Sequence, residues 1–331
     1  MKEFSPKTLQ EAIQHFSDEQ VCIETFARIR WADGKPECPA CGHKEHWYLA
    51  KQRRFKCKEC WKQFTVKVDT LLEDSPISLS KWLPALWMLV NDKNGISSYE
   101  LAKALGITQK SAWFVLHRLR TALQMNSFGK IGGNGGPVEV DETFVGGRIA
   151  NMHKSKKARM TMIKGQQLKG DHMNKTIVMG LLDRELRQVR AKVVPNVRRD
   201  TLQNEVLREV EHGSQVYTDE WIGYNALHQQ FVHDVVNHVE GYVNGQVHTN
   251  SIENFWSLLK RTLKGTYVAV EPCHLTKYVD EQVFRFNHRG GKRKENRITD
   301  SQRFELALSQ VAGKRLTYDE LTGKTGDATP F

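Results

Sequence analysis

No stretch of this 331-residue sequence approaches the roughly 18 consecutive apolar residues of a membrane-spanning helix, so no membrane partner is expected. A secretory signal is missing too: MKEFSPKTLQEAIQHFSDEQ lacks a basic start, an apolar middle and a small-residue cleavage site. The expected location is cytoplasmic, a reducing milieu in which the six cysteines are poor candidates for disulfides. Internal repeats and low-complexity tracts are absent, which excludes solenoids and Pro-rich spacers. Acid is in deficit, with 38 Asp and Glu against 49 Lys and Arg, and the formal charge of +11 favours a polyanionic partner.

What is present is ordinary globular composition, 39% apolar and 26% charged, in a length that suits two or three domains. Residues 1–30 form a helical lead-in with apolar Leu9, Ile13, Phe16, Val21, Ile23 and Phe26. Residues 31–70 alternate turns with short strand-like pieces, HWYLA and RFKCK, too small a unit to build a core unaided. Helical spacing dominates residues 76–124, with Pro84 expected to kink or start the first helix. MNSFGKIGGNGGP, residues 125–137, reads as a linker.

The segment 138–290 reads as strand PVEVDETFV, a basic mobile loop from Arg148 to Lys169, strands KTIVMGLLD and RQVRAKVVPN, helix DTLQNEVLREVEH, strand QVYTDE, helix WIGYNALHQQ, strand VHDVVNH, then helices SIENFWSLLKRTLKG and HLTKYVDEQVFRFNHR. Residues 291–331 add a helix, SQRFELALSQV, and a polar tail. The order implies an α/β layered architecture, a ribonuclease-H-like mixed sheet flanked by helices, preceded by a small zinc ribbon and an all-α domain.

Cys38-Pro-Ala-Cys41 and Cys57-Lys-Glu-Cys60 stand 15 residues apart, the spacing of two knuckles giving four thiolates to one Zn²⁺. Four thiolates leave no open position, so this zinc is structural. Arg53 and Arg54, with Lys56 and Lys58, are placed to meet phosphate. In Ser97–Arg120, a helix through Leu105, a turn at Gly106-Ile107 and a second helix from Thr108 or Gln109 follow the helix-turn-helix order. Gln109, Lys110 and Ser111 would face the DNA groove, with Arg118 and Arg120 further along.

Three acids stand out by position: Asp141 in a first strand, Asp219 closing a later strand and Glu253 near the start of a helix. A ribonuclease-H-like sheet would bring them to one point, where hard oxygen ligands suit two Mg²⁺ or Mn²⁺ ions and an in-line displacement at phosphorus. Alternation in VEVDE puts Glu139 on the face of Asp141, as a reserve ligand or a partner behind the ligands, and Glu142 on the other. Lys260 follows Glu253 by seven positions and projects from the same helix face, with Trp256 between them as a core residue or a base-stacking one.

VEVDETFVGGR, VYTDEWIGYNAL and VHTNSIENFWSLLKR, in that order with 34 positions from Asp219 to Glu253, resemble the catalytic motifs of DDE transposases of the ISXO type. The preceding ribbon and helix pair match that family as well, so the resemblance runs from about residue 20 to residue 290. It implies metal binding by Asp141, Asp219 and Glu253, DNA contact by Lys260, recognition of terminal inverted repeats by the N-terminal modules, and a homodimer or higher oligomer on double-stranded DNA near the nucleoid. In this family the third ligand varies among Glu, Asn and His, so Asn250 and His248 stand as alternatives to Glu253. A DNA-binding regulator and a nuclease without strand transfer are the competing readings.

Overall fold

The computed structural model describes residues 6–31, 33–124, 129–133, 135–165, 174–220, 222–224, 227–236, 247–289 and 298–323. Parts of the linker 125–137, the end of the basic stretch and the last residues of the polar tail lie outside them. The chain divides into two compact units, one built from residues 1–125 and 288–330, the other from residues 126–287.

The first unit begins with α1 (Leu9–His15) and α2 (Glu19–Arg30), capped by Thr8 and Asp18, whose side chains accept the N–H groups of Glu11 and Gln20. An antiparallel three-stranded ribbon follows: β1 (His46–Leu49), β2 (Arg54–Cys57) and β3 (Gln63–Phe64). Its core is small, Phe55 against Phe64 at 5.5 Å between ring centroids with Tyr48 at 5.2 Å from Phe55. Then comes α3 (Leu79–Asn91), almost wholly buried, with Pro84 inside the helix five residues after its start.

Next are α4 (Ser98–Leu105) and α5 (Gln109–Ala122). Ser97 and Glu100 form a capping box on α4, Gly106 ends it in the left-handed region at φ 60°, and Thr108 caps α5 by accepting the Ser111 N–H at 3.1 Å. Leu101, Ala112, Val115 and Leu116 turn the apolar stripes of this helix pair inward.

The second unit holds β4 (Val138–Val145), α6 (Lys154–Lys164), β5 (Thr176–Asp183), β6 (Gln188–Val194), α7 (Arg199–Glu209), β7 (Gln215–Asp219), β8 (Val232–Val236), α8 (Asn250–Thr262) and α9 (Leu275–His288). The five strands form one mixed sheet in the order β6-β5-β4-β7-β8, antiparallel through β4 and parallel from β4 to β8. Val138, Val140, Met179 and Leu181 meet Leu202 and Val206 of α7 on one face. On the other, Val178, Leu182 and Val189 meet Ile252, Phe255, Trp256 and Leu259 of α8 and Val279 and Val283 of α9. The sheet is thus covered by helices on both faces.

Two sequence expectations are corrected here. The basic stretch contains a helix, α6, capped by His153 and ended by Gly165 at φ 63°. Lys, Arg, Met and Ala are all good helix formers, and an exposed helix needs no apolar periodicity to betray it. The described residues of WIGYNALHQQ form two single 3₁₀ turns, Ile222–Tyr224 and Leu227–Gln229, anchored by buried Tyr224 and Leu227.

After α9 the chain returns to the first unit as α10 (Asp300–Ser309) and α11 (Tyr318–Thr322). Phe304 packs between Phe16 and Trp87, at 5.3 and 5.6 Å. The C-terminal segment therefore completes a core begun by α1 and α3.

One close approach fixes α8 on the sheet. A Cβ on Gly180 of β5 would lie 2.7 Å from the Trp256 ring and 3.0 Å from Ile252 Cδ1, so glycine is what lets the indole lie on the strand. Gly180→Ala is expected to lower stability by about 1–3 kcal/mol through overpacking. Urea unfolding checks this, and an unchanged midpoint would mean that the helix shifts without cost.

Candidate active site and metal centre

In the ribbon, the Sγ atoms of Cys38, Cys41, Cys57 and Cys60 all lie within 4.8 Å of one another. Cys38 to Cys60 and Cys41 to Cys57 are each 3.6 Å. A tetrahedron with Zn–S bonds of about 2.3 Å has edges of about 3.75 Å, close to the two 3.6 Å separations, so the four thiols are grouped to hold one zinc ion. Arg53 and Arg54 are exposed at the β1–β2 connection.

At α5, Gln109 donates to Ser98 Oγ at 2.9 Å and Ser111 Oγ lies 2.8 Å from Thr108 Oγ1, while Lys110 is exposed with its ammonium 4.8 Å from the Tyr318 ring. Arg118 and Arg120 do not project to solvent. They are 7% and 1% exposed, and Arg118 donates to the carbonyls of Leu316 and Glu73 while lying over Phe114. Their burial removes both from the groups able to meet a phosphate.

In the second unit, Asp141 sits mid-strand on β4 with both carboxylate oxygens engaged. Trp256 Nε1 donates to Oδ2 at 2.9 Å and the Glu142 N–H to Oδ1 at 2.8 Å. The parallel β4–β7 register pairs Val138 with Val216 and Glu139 with Tyr217, and Asp219 ends β7 two residues beyond that pairing. Glu253, in the first turn of α8, accepts the Thr249 hydroxyl at 3.2 Å. Burial pushes the Asp141 carboxyl up to about 6, opposed by the Trp256 hydrogen bond and helped by the charges of Asp219 and Glu253.

Glu142, on the opposite face, takes the Tyr224 hydroxyl at 2.6 Å. Burial pushes it up to about 7, the Tyr224 bond opposing and Asp219 and Asp141 adding to the rise. Burial, followed by the charge of Glu142, holds the Tyr224 phenol well above its ordinary range. The three carboxylates of Asp141, Asp219 and Glu253 thus share one field, although among the described residues they do not converge as tightly as the thiols.

Glu139 is fully buried and committed: it pairs with Arg184 and accepts the Ile252 N–H at 2.8 Å, tying the start of α8 to β4. His248 Nδ1 lies 2.7 Å from Arg184 Nη2, so His248 faces this ion pair, and Asn250 opens α8 at an exposed position. Lys260 is exposed on α8, with Glu253 and Ser257 on the same stripe. Trp256, only 4% exposed, is not available to stack on DNA. Its role in orienting Asp141, and that of Gly180 beneath it, were invisible in the sequence because both need the β4–β5 register, which sets Asp141 opposite Gly180.

The fold and site define a zinc-ribbon protein with a carboxylate-bearing mixed α/β domain. Residues 134–287 match the ISXO2-like transposase domain and residues 17–63 the transposase zinc-ribbon domain. A protein in transposable element ISH50 of Halobacterium salinarum is 27% identical over 276 residues, spanning 81% of this chain and 90% of that one. A transposase-like protein of Haemophilus influenzae is 34% identical over 97 residues, spanning 29% of this chain and 78% of that one. The chain belongs to the ISXO2-like transposase family.

Two outcomes follow from this chemistry. Chelation, or Cys41→Ser, is expected to release about one zinc per chain and unfold the ribbon, because its small core does not hold it alone. Zinc analysis with amide exchange checks this, and a ribbon that stays protected without metal would refute it. In metal-free protein, the raised Glu142 carboxyl gives stability that is complete below about pH 4.5 and is lost as pH climbs through about 7. Glu142→Gln, which can still accept from Tyr224, should leave stability unchanged near about pH 4 and raise it by up to about 3 kcal/mol near about pH 8. Equal shifts at both pH values in urea melts would exclude a titration effect.

Proposed function

We propose that this protein is an insertion-sequence DNA transposase whose second unit is a ribonuclease-H-like catalytic domain. Asp141, Asp219 and Glu253 are its catalytic carboxylates. The observation that supports the reading is that the charges of Asp219 and Glu253 both act on the buried Asp141 carboxyl, on a strand that pairs in parallel with β7 and lies against α8. The sheet order, three antiparallel strands continued by two parallel ones, supports the same fold.

A site whose acids raise one another is one that divalent cations neutralise, and oxygen donors suit Mg²⁺ or Mn²⁺. When bound, such ions supply activation of a water or DNA 3′-hydroxyl and stabilisation of the departing oxygen. The chain's own residues set the geometry: Trp256 orients Asp141, Thr249 holds Glu253, and Glu139 with Arg184 anchors the start of α8. Lys260, two turns beyond Glu253 on the same stripe, grips a phosphate beside the reacting one.

Element ends are bound by the first unit. Helices α4 and α5 act as a helix-turn-helix with Gln109, Lys110 and Ser111 toward the groove, and Arg53 and Arg54 meet the backbone. Joining two ends calls for a dimer or larger assembly on DNA.

The test incubates purified protein with a labelled duplex carrying the element's end and magnesium or manganese, alongside Asp141→Ala, Asp219→Ala and Glu253→Ala. Wild type is expected to nick and transfer strands, and each substitution to abolish both while leaving DNA binding intact. Cleavage without joining would identify a nuclease, and binding without metal-dependent cleavage a regulator. Retained activity in Glu253→Ala would move the third ligand role to Asn250 or His248.

A further inference from the structure

The two zinc knuckles differ at one informative position. In each, the residue after the second cysteine has positive φ: Gly42 at 73° after Cys41, and Trp61 at 61° after Cys60. Glycine takes that conformation freely, whereas a bulky aromatic residue is an outlier there. Core packing does not account for Trp61, since the residue is 61% exposed. Strain held at an exposed aromatic side chain points to use of that side chain.

Trp61 does not stand alone. Its ring lies 5.5 Å from that of Trp47, itself 43% exposed, with 37° between the planes. The ammonium of Lys56, cross-strand partner of Trp47, sits 4.8 Å over Trp61, and that of Lys58 sits 5.8 Å over Trp47. Lys58 also meets Glu45 at 3.3 Å, an exposed pair of little strength. Arg53, Arg54 and Lys62 are exposed on the same ribbon.

We propose that the Trp47–Trp61 pair is a stacking platform for unpaired DNA bases, with Lys56 and Lys58 taking the flanking phosphates. The proposal rests on the reading of the chain as a DNA-acting protein and assigns its ribbon a single-stranded ligand. Bases in a duplex present only their edges to a protein, whereas two exposed indole faces suit bases that have left the stack. Each lysine exchanges a weak exposed contact with a ring for an ion pair as a base takes that face. Frayed or nicked DNA supplies such bases.

The experiment uses the full-length, zinc-loaded chain without magnesium or manganese. Fluorescence anisotropy follows a labelled oligothymidylate of about a dozen nucleotides and, in parallel, a duplex of similar length. Trp61→Gly is the informative variant, because glycine fits the local backbone as Gly42 does in the first knuckle. It is expected to weaken oligothymidylate binding by on the order of tenfold or more, leave duplex binding within about twofold, and keep zinc with an equal or higher melting temperature. Trp47→Ala should weaken the same ligand.

Unchanged oligothymidylate affinity in both variants would overturn the proposal, as would an equal loss for the duplex, which would make the pair a duplex contact. Loss of zinc by Trp61→Gly would assign Trp61 to holding the ribbon instead. Wild-type protein that binds the duplex but ignores oligothymidylate defeats the platform and leaves the transposase reading standing. Protein that binds neither DNA form defeats both.

Discussion

The contact of the Trp256 indole with Asp141 and Gly180 is what the second unit is arranged around. The ring packs directly against β5 because Gly180 has no side chain, and its N–H reaches one oxygen of Asp141 on β4. One residue thus joins the helix, the strand pair and the carboxylate. Glu139 secures the same helix at its start by accepting the Ile252 N–H, so α8 is held at two points within one turn. Glu253 rides on that turn, with its carboxylate accepting the Thr249 hydroxyl.

Such a site works against the stability of the protein that builds it. Burial and mutual repulsion raise Asp141 and Glu142 well above ordinary carboxylates, which means the ionised forms destabilise the fold. The neighbouring Glu139–Arg184 pair shows the contrasting solution, a buried acid with its cation beside it. Both lie on one strand, and the difference is in what the partner elements bring. Where β4 faces Arg184 the charge is matched. Where it faces Asp219 and Glu253 it accumulates, leaving a concentration of acid in a protein of net charge +11.

How much of this was legible in the sequence depends on how local each determinant is. The four cysteines lie within one short segment, and their spacing alone announced their convergence. Gly106 and Thr108 are read locally too, as a left-handed helix end and a cap. The placement of Asp141 on a strand, Asp219 at a strand end and Glu253 in a first helical turn followed from periodicity. Arg118 could not be read that way, because Leu316, whose carbonyl it meets, lies far along the chain in a segment that returns to the first unit. Trp256 reads from the sequence as either a core residue or a base-stacking one, and the absence of a side chain at Gly180 is what admits its ring inward. Helix α6 was missed because no buried stripe marks it.

The two units also hold themselves together by different means, and this bears on where each can tolerate irregular backbone. The mixed sheet is stabilised by two extensive apolar layers, one on each face. The ribbon has almost no such layer and depends on bonds from thiolates to metal. Those bonds are strong and few, and they act at the knuckles themselves. A left-handed tryptophan immediately after a ligating cysteine is therefore placed where the fold is most firmly clamped, next to the bond that can hold it. The strain at that residue is borne there, and the indole it presents stays at the surface.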